Sequence, residues 1–366
     1  MKKEKVVVGM SGGVDSSVAA YLLKEAGYEV IGVTMQIWQD EDRDTQSANG
    51  GCCGLSAVDD ARRVAAALDI PYYVMNFKRD FKEKVIDYFI DEYENGRTPN
   101  PCIACNRYVK WESLLQRSLM IGADYIATGH YARIDRLENG RYAIRNSVTA
   151  KKDQTYALYN LTQEQLAKTL MPVGEYTKEE IRAIAERIGL VRVANKPDSQ
   201  EICFVPDNDY AGFIKENSDL PVVPGNFVSV DGRILGTHKG IIHYTVGQRK
   251  GLGLALGTPA FVVELRPETN EVVIGTDQAV FSRHLYCDRL NFMGMEDLRE
   301  PREVLAKIRY NHDGSLCRIS RVGDDCIRCD FTEAVRAVTP GQAVVFYDGE
   351  YVLGGGTIIR EPKGES

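Results

Sequence analysis

Apolar residues open the chain in a short block, Val6-Val7-Val8, which predicts a buried strand. The pattern then passes through Gly9-Met10-Ser11-Gly12-Gly13-Val14-Asp15-Ser16-Ser17 into helical spacing over Ser17 to Ala26, stopped by Gly27. Glu29 to Met35 reads as a second strand. Ser56, with Asp59 three positions on, opens a helix whose Val58, Ala61, Val64, Ala65 and Leu68 share one face, and Tyr72 to Met75 returns as a strand. Tyr125 to Thr128 is another buried strand, ending in Gly129-His130. This alternation predicts an α/β fold, a doubly wound parallel sheet with helices on both faces and ligands at the carboxyl ends of its strands. Beyond Cys203 the texture changes. Pro206, Pro221 and Pro224-Gly225 mark a linker, and short strand-like runs follow. From about residue 285, Val304 to Tyr310, Cys317 to Val322, Ala343 to Tyr347 and Tyr351 to Leu353 alternate apolar and polar, with turns at His312-Asp313-Gly314 and Asp348-Gly349. The expected layout is a first domain over 1–205, a small central domain over 206–284, and a C-terminal antiparallel β-barrel over 285–366. There is no internal repeat, and residues 361–366 read as a frayed end.

The glycine turn carries the first chemistry. Glycines let successive N–H groups point inward as an anion nest, and the following helix adds the positive end of its dipole, so phosphate is the natural guest. A side chain placed on Gly13 is expected to fill that nest. No lysine stands where a Walker loop would need one, which argues against a GTPase-type or kinase-type P-loop. With 366 residues and a 44% hydrophobic fraction the chain is globular and exceeds one typical core. The start lacks a leader-like apolar stretch and no run approaches membrane-spanning length, so a cytoplasmic protein with no membrane partner is expected. There the nine cysteines read as thiols, metal ligands or catalytic groups rather than structural disulfides. The net charge of −7 argues against nucleic-acid binding through bulk positive charge but allows a local stripe. Arg133, Arg136, Arg141, Arg145, Lys151 and Lys152 form one, opposed in that stretch by Asp135 and Glu138.

Two further clusters contain cysteine: Thr98-Pro99-Asn100-Pro101-Cys102-Ile103-Ala104-Cys105-Asn106-Arg107 and Asp198-Ser199-Gln200-Glu201-Ile202-Cys203-Phe204. Ser11, Gly12, Gly13, Asp15 and Ser16 match the pyrophosphate-binding loop of the ATP pyrophosphatase (PP-loop, adenine nucleotide hydrolase-like) family. Together with Asn-Pro-x-x-x-Cys-Asn, Lys152-Asp153-Gln154 and Asp-Ser-x-x-Ile-Cys-Phe in this order, the chain resembles the tRNA-specific 2-thiouridylase family over nearly its whole length. The resemblance implies ATP-dependent 2-thiolation of the wobble uridine of tRNA. Cys105 would be the nucleophile and Cys203 the persulfide carrier. ATP, with magnesium, would lie against Gly9, Met10, Ser11, Gly12, Gly13, Val14, Asp15, Ser16, Met35 and Gly129. Transfer RNA would be met by Asn100, Pro101 and Cys102 at the target base, and by His130, Lys152, Asp153, Gln154, Arg309, Tyr310 and Gln342. A cysteine desulfurase or sulfur-relay protein would supply the sulfur.

The chemistry is consistent with those residue types. A uracil 2-carbonyl oxygen leaves poorly until AMP is attached to it, and a persulfide delivers sulfur that a second thiolate can release. Asp15 is the nearest acidic candidate to help hold magnesium, with a helix-start cap as the alternative. Cys102 departs from the family pattern, where aspartate is expected. The resulting Cys102-x-x-Cys105 leaves three readings open: a relay with Cys102 as bystander, a regulatory disulfide, or an iron–sulfur cluster on Cys102, Cys105 and Cys203. Cys52-Cys53 has two readings, the same sulfur chemistry or a flexible loop after Asp40 to Asp44, and Cys326-x-x-Cys329 reads as structural. The rival functions are another PP-loop thiolase or adenylating synthetase, and a non-catalytic RNA-binding protein.

Overall fold

The computed structural model describes residues 3–37, 55–196, 202–205 and 207–362. Cys52, Cys53, the run from Asp40 to Asp44, Asp198 to Glu201 and Pro206 lie outside the described residues. The chain divides into two compact units, one of Met1–Val85, Cys102–Asn208 and Glu350–Val352, the other of Ile86–Pro101, Asp209–Gly349 and Leu353–Ser366.

The first unit is built on five parallel strands, β1 (Lys5–Gly9), β2 (Glu29–Gln36), β3 (Tyr72–Asn76), β4 (Tyr125–Ala127) and β7 (Thr169–Leu170), in the order β3-β2-β1-β4-β7. Val6, Val7 and Val8 are fully buried, as a central strand covered on both faces requires. The expected strands are all present. The first helix is Val14–Glu25 and starts three residues before Ser17, directly on Gly13. The second is Leu55–Ala67, with Ala57, Ala61, Val64 and Ala65 turned into the core. Two features carried no pattern in the sequence reading. Residues 132–146 form a hairpin, β5 (Ala132–Arg136) and β6 (Tyr142–Asn146), and after a single turn over Pro101–Ala104 the chain widens into a ten-residue π-helix, Cys105–Leu114. The Asn139-Gly140 pair is a hairpin signal that could have found the first.

In the second unit, β8 (Gly225–Ser229), β9 (Ile234–His238), β10 (Phe261–Arg266) and β11 (Glu271–Gly275) form a four-stranded sheet, order β10-β11-β8-β9. The barrel strands are β12 (Phe281–Phe292), β13 (Arg302–Lys307), β14 (Ser315–Gly323), β15 (Cys326–Arg336), β16 (Ala343–Asp348) and β17 (Tyr351–Ile359). They run β12-β15-β14-β13-β16-β17, and β12 pairs with β17 to close the barrel. Cys287, Cys317 and Cys329 are buried in its core, where burial and the neighbouring thiols push the Cys329 thiol well up, as expected of inert packing groups. Among the described residues no helix is long and apolar enough to cross a membrane.

Trp111 ties the π-helix to the sheet. It is 1% exposed, and its indole N–H donates to Thr169 Oγ1 at 2.8 Å. Trp111→Ala should therefore cost about 3–5 kcal/mol, while Met120→Ala, at an 84% exposed position, should stay within about 0.5 kcal/mol. Urea unfolding of both variants measures this, and equal midpoints would contradict the placement.

Candidate active site

The nucleotide loop is formed by backbone and small hydroxyls. Met10 N–H donates to Val33 O, Thr34 Oγ1 donates to Met10 O at 2.7 Å, and Tyr72 OH donates to Thr34 Oγ1, so the loop's entrance is tied to β2 and β3. Ser17 Oγ donates to Gly13 O at 2.7 Å, and Ser11 N–H donates to Ser16 Oγ at 3.2 Å, closing the loop on itself. No described side chain caps the helix that starts on Gly13. Its first amides are thus left for an anion.

Two glycines decide the local shape, and neither is Gly13. Gly12 has φ +69°, and a Cβ there would strike Ala57 O. At Gly129 a Cβ would lie 2.6 Å from Ser16 N and 2.7 Å from the Asp15 carbonyl carbon. Beside Gly13 the nearest atom is Ser11 Oγ at 3.4 Å, so a Cβ there would meet no backbone and would stand in the space of the nest itself.

Asp15 lies in the first turn of this helix, but its carboxylate is already engaged. Lys178 Nζ donates to Oδ1 and Oδ2 at 2.8 Å each, and Tyr131 OH donates to Oδ1 at 2.7 Å. Lys178 is 7% exposed. A buried ammonium spanning both oxygens fits a structural ion pair and does not fit a magnesium ligand, so the expectation that Asp15 holds the metal is not carried forward. Gln154 N–H donates to Tyr131 O and its side-chain carbonyl accepts from Tyr131 N–H, so this residue holds the tyrosine that holds Asp15. On the other flank Lys196 Nζ lies 3.2 Å from Asp60 Oδ2 and 3.5 Å from Gly12 O, and Arg192 Nε lies 3.0 Å from Asp60 Oδ1. Lys178, Tyr131, Asp60 and Lys196 were missed by sequence reasoning. Only Lys196, close before the second cysteine motif, had a positional hint.

Both cysteines of interest belong to the unit that carries the loop. Cys105 is half-buried at the start of the π-helix, whose neighbour Asn106 is buried and donates through Nδ2 to Ala157 O at 2.9 Å. Cys203 is half-buried in a turn closed by Val205 N–H to Ile202 O, and buried Phe204 meets Phe81 edge-on at 5.8 Å. Cys102 is exposed. Among the described residues no three His, Cys, Asp or Glu side chains are arranged to hold a metal ion. Met35, in β2, is half-buried.

The residues assigned to RNA by resemblance belong to both units. Asp153 Oδ2 accepts from Ser147 N–H, while Lys152 is half-buried at the end of a short 3-10 turn. Two cations of the basic stripe are matched by carboxylates: Arg145 lies 3.0 Å from Asp135, and Arg133 lies 3.7 Å from Glu175 and 3.6 Å from Glu350. In the second unit Arg309 donates to Arg336 O, Tyr310 is 42% exposed, Gln342 donates to Thr98 O, and Asn100 and Pro101 close the stretch before Cys102.

His130 belongs to a network that begins beside Cys105. Lys110 Nζ donates to Asn106 Oδ1 at 2.8 Å and lies 3.4 Å from His130 Nε2, while His130 Nδ1 is 2.7 Å from Thr128 Oγ1. An ammonium only donates, so Nε2 accepts and the Nδ1–H is directed at Thr128. Burial, then the Lys110 charge, holds the imidazole well below its ordinary range. The unfolded ring takes a proton near pH 6.5 while the folded ring stays neutral, so the stability from this network is present above about pH 6.5 and lost as pH falls below it. His130→Gln should flatten that part of the stability–pH curve relative to wild type. An unchanged slope would contradict the neutral assignment.

Comparison with known proteins bears on the whole chain. Family models match three consecutive stretches: a tRNA methyl transferase HUP domain over residues 4–207, a tRNA methyl transferase PRC-barrel domain over 212–276, and an aminomethyltransferase beta-barrel domain over 282–358. The tRNA-specific 2-thiouridylase MnmA of Lachnoclostridium phytofermentans is 73% identical over 357 residues, covering 98% of this chain and 100% of that one. The proteins of the same name from Acetivibrio thermocellus and Clostridioides difficile are 60% and 57% identical, each across 98% of this chain and covering 100% and 98% of those chains. Parallel-sheet domain, central domain and closed barrel thus follow the family's layout, and the chain belongs to the tRNA-specific 2-thiouridylase family.

Proposed function

We propose that this protein is a sulfurtransferase that catalyses ATP-dependent 2-thiolation of the wobble uridine of tRNA. The observation that carries this is the end-to-end match to relatives named for tRNA 2-thiolation. The family descriptions speak of methyl transfer, whereas the relatives matched end to end are named for 2-thiolation. The functional division is 1–205 for nucleotide and sulfur chemistry, 206–284 as a central domain, and 285–366 for RNA contact.

In this reading the nest at Gly9 to Ser16 and the uncapped helix start hold the pyrophosphate portion of ATP, which enters as its magnesium complex, and Met35 and Gly129 flank the nucleotide. Uracil O2 attacks the α-phosphorus, pyrophosphate leaves, and the 2-position now carries a good leaving group. The terminal sulfur of a persulfide on Cys203 attacks the ring carbon and AMP departs with the former uracil oxygen. Cys105 thiolate then attacks Cys203 Sγ, which releases 2-thiouridine and leaves a Cys105–Cys203 disulfide for an external thiol reductant. This balance needs two cysteines and no iron. It is preferred to the cluster because it uses one thiol fewer, with exposed Cys102 as a bystander.

A cysteine desulfurase or relay protein reloads Cys203. The tRNA contacts are proposed at Asn100, Pro101 and Cys102 for the base and at Lys152, Asp153, Arg309 and Tyr310 for the surrounding RNA, with exposed Tyr310 suited to stacking. His130 and Gln154 are proposed to shape the site from within, since each is engaged by protein partners.

Cys105→Ser and Cys203→Ser should each abolish 2-thiouridine, measured by mass spectrometry of digested tRNA, while tRNA binding stays within about twofold of wild type. Residual thiolation by Cys203→Ser would remove that residue from the sulfur path.

A further inference from the structure

The loop that enters β10 carries exposed positive charge on a fixed backbone. Between residues 232 and 263 the chain has four cations, Arg233, Lys239, Arg249 and Lys250, and no Asp or Glu. Arg233 is matched by Asp231 at 3.1 Å. Burial, then the charges of Lys215 and Lys239, pushes the His243 imidazole down to about 4, so that ring stays uncharged at neutral pH. Arg249 and Lys250 are both exposed, and among the described residues neither side chain meets a carboxylate. Elsewhere in the same unit Arg266, Arg302, Arg336 and Arg360 each do.

The loop is held in one shape. Gly247 N–H donates to Val262 O at 2.8 Å and Val262 N–H donates to Gln248 O at 2.9 Å, which ties its start to β10. Gln248 reaches to both sides: its side-chain carbonyl accepts from Thr245 N–H at 3.0 Å, and its Nε2 donates to Lys250 O at 3.0 Å. Leu252, 8% exposed, joins Phe227, Tyr244 and Val262 in the core of the central domain. Gly251 and Gly253 flank it at φ +76° and +68°. A Cβ on Gly253 would meet nothing within 4 Å, and one on Gly251 only Gln248 Nε2 at 3.9 Å. Glycine is therefore required there by backbone shape and not by packing. The N–H groups of these exposed glycines donate to no described group, so two cations and bare amides share one outer turn.

Charges carried by a fixed turn, beside amide donors with no protein acceptor, suit phosphate oxygens. Backbone contact of this kind reads no base, and it costs little ordering because the loop is shaped before its partner arrives. We propose that Arg249 and Lys250, presented by the 247–253 loop of the central domain, bind the phosphate backbone of the RNA substrate. This rests on the proposed tRNA substrate. It gives the central domain, which holds neither the nucleotide loop nor the two cysteine motifs, a part in affinity and not in chemistry.

The test uses the full-length protein as wild type, as the double variant Arg249→Gln/Lys250→Gln, as the charge-keeping swap Arg249→Lys/Lys250→Arg, and as Arg233→Gln, which removes a charge already paired. Dissociation constants for tRNA are measured across a salt series. At about 0.1 M salt the double variant should bind roughly tenfold more weakly, and the slope of log affinity against log salt should be smaller by about 1.4–1.8, the share of two phosphate contacts. The swap and Arg233→Gln should keep the wild-type slope, and the double variant's thiolation rate at saturating tRNA should stay within about twofold of wild type. Unchanged slope and affinity in the double variant would overturn the inference and leave the proposed function intact. So would weaker binding at the wild-type slope, which marks a lost shape and not a lost charge, or a reduced rate at saturating tRNA with affinity unchanged. Wild type that binds tRNA through this loop but never forms 2-thiouridine would count against the proposed function alone, and wild type with no affinity for tRNA would count against both.

Discussion

Bare backbone packed against the start of the first helix is the constraint on which the nucleotide site depends. Gly12 turns left-handed under Ala57, and Gly129 lies on Ser16 and Asp15 so closely that neither position admits a side chain. Those approaches leave the first amides of Val14–Glu25 with no side-chain cap, and the helix dipole makes that end attractive to phosphate. The carboxylate in the same turn would repel such a guest if it stood alone. Lys178 spans both its oxygens and Tyr131 adds a third donor, so Asp15 serves as an anchor between helix and hairpin instead of an exposed negative charge.

The same logic extends along the first unit. Lys196 joins Asp60 of the second helix to Gly12 O, and Lys110 joins Asn106, beside Cys105, to a neutral His130. Cations thus sit on both flanks of the loop and beside the π-helix, although the whole chain carries −7. Bulk charge therefore said little about this site, whereas pairing in the folded unit says which charges are spent. Arg133 and Arg145 are spent on Asp135, Glu175 and Glu350, which thins the basic stripe that the sequence displays.

Much of the fold was legible because buried parallel strands are continuous apolar runs, as at Val6 to Val8, and because Gly27 and the Ser56 region punctuate helices plainly. Strand β12 was not, since bulges between Ser282 and His284 and between Asp288 and Asn291 break its alternation and Arg289 takes φ +52°. The π-helix was hidden for a different reason: its widening carries no residue signature. The loop and both cysteine motifs were readable as local strings. Their supports were not, because Lys178 lies 163 residues from Asp15 and Gln342 lies 244 from Thr98, and only the fold brings such pairs together.

In the proposed reaction uracil O2 is activated by adenylylation before sulfur replaces it. Carrying out the reaction in water enriched in oxygen-18 and weighing the AMP produced tests this directly. If the uracil oxygen leaves on AMP, the AMP formed in step with 2-thiouridine contains no solvent oxygen. AMP that acquires one labelled oxygen for each thiolation would contradict the account, because its phosphate would then have been released to water and not to the base.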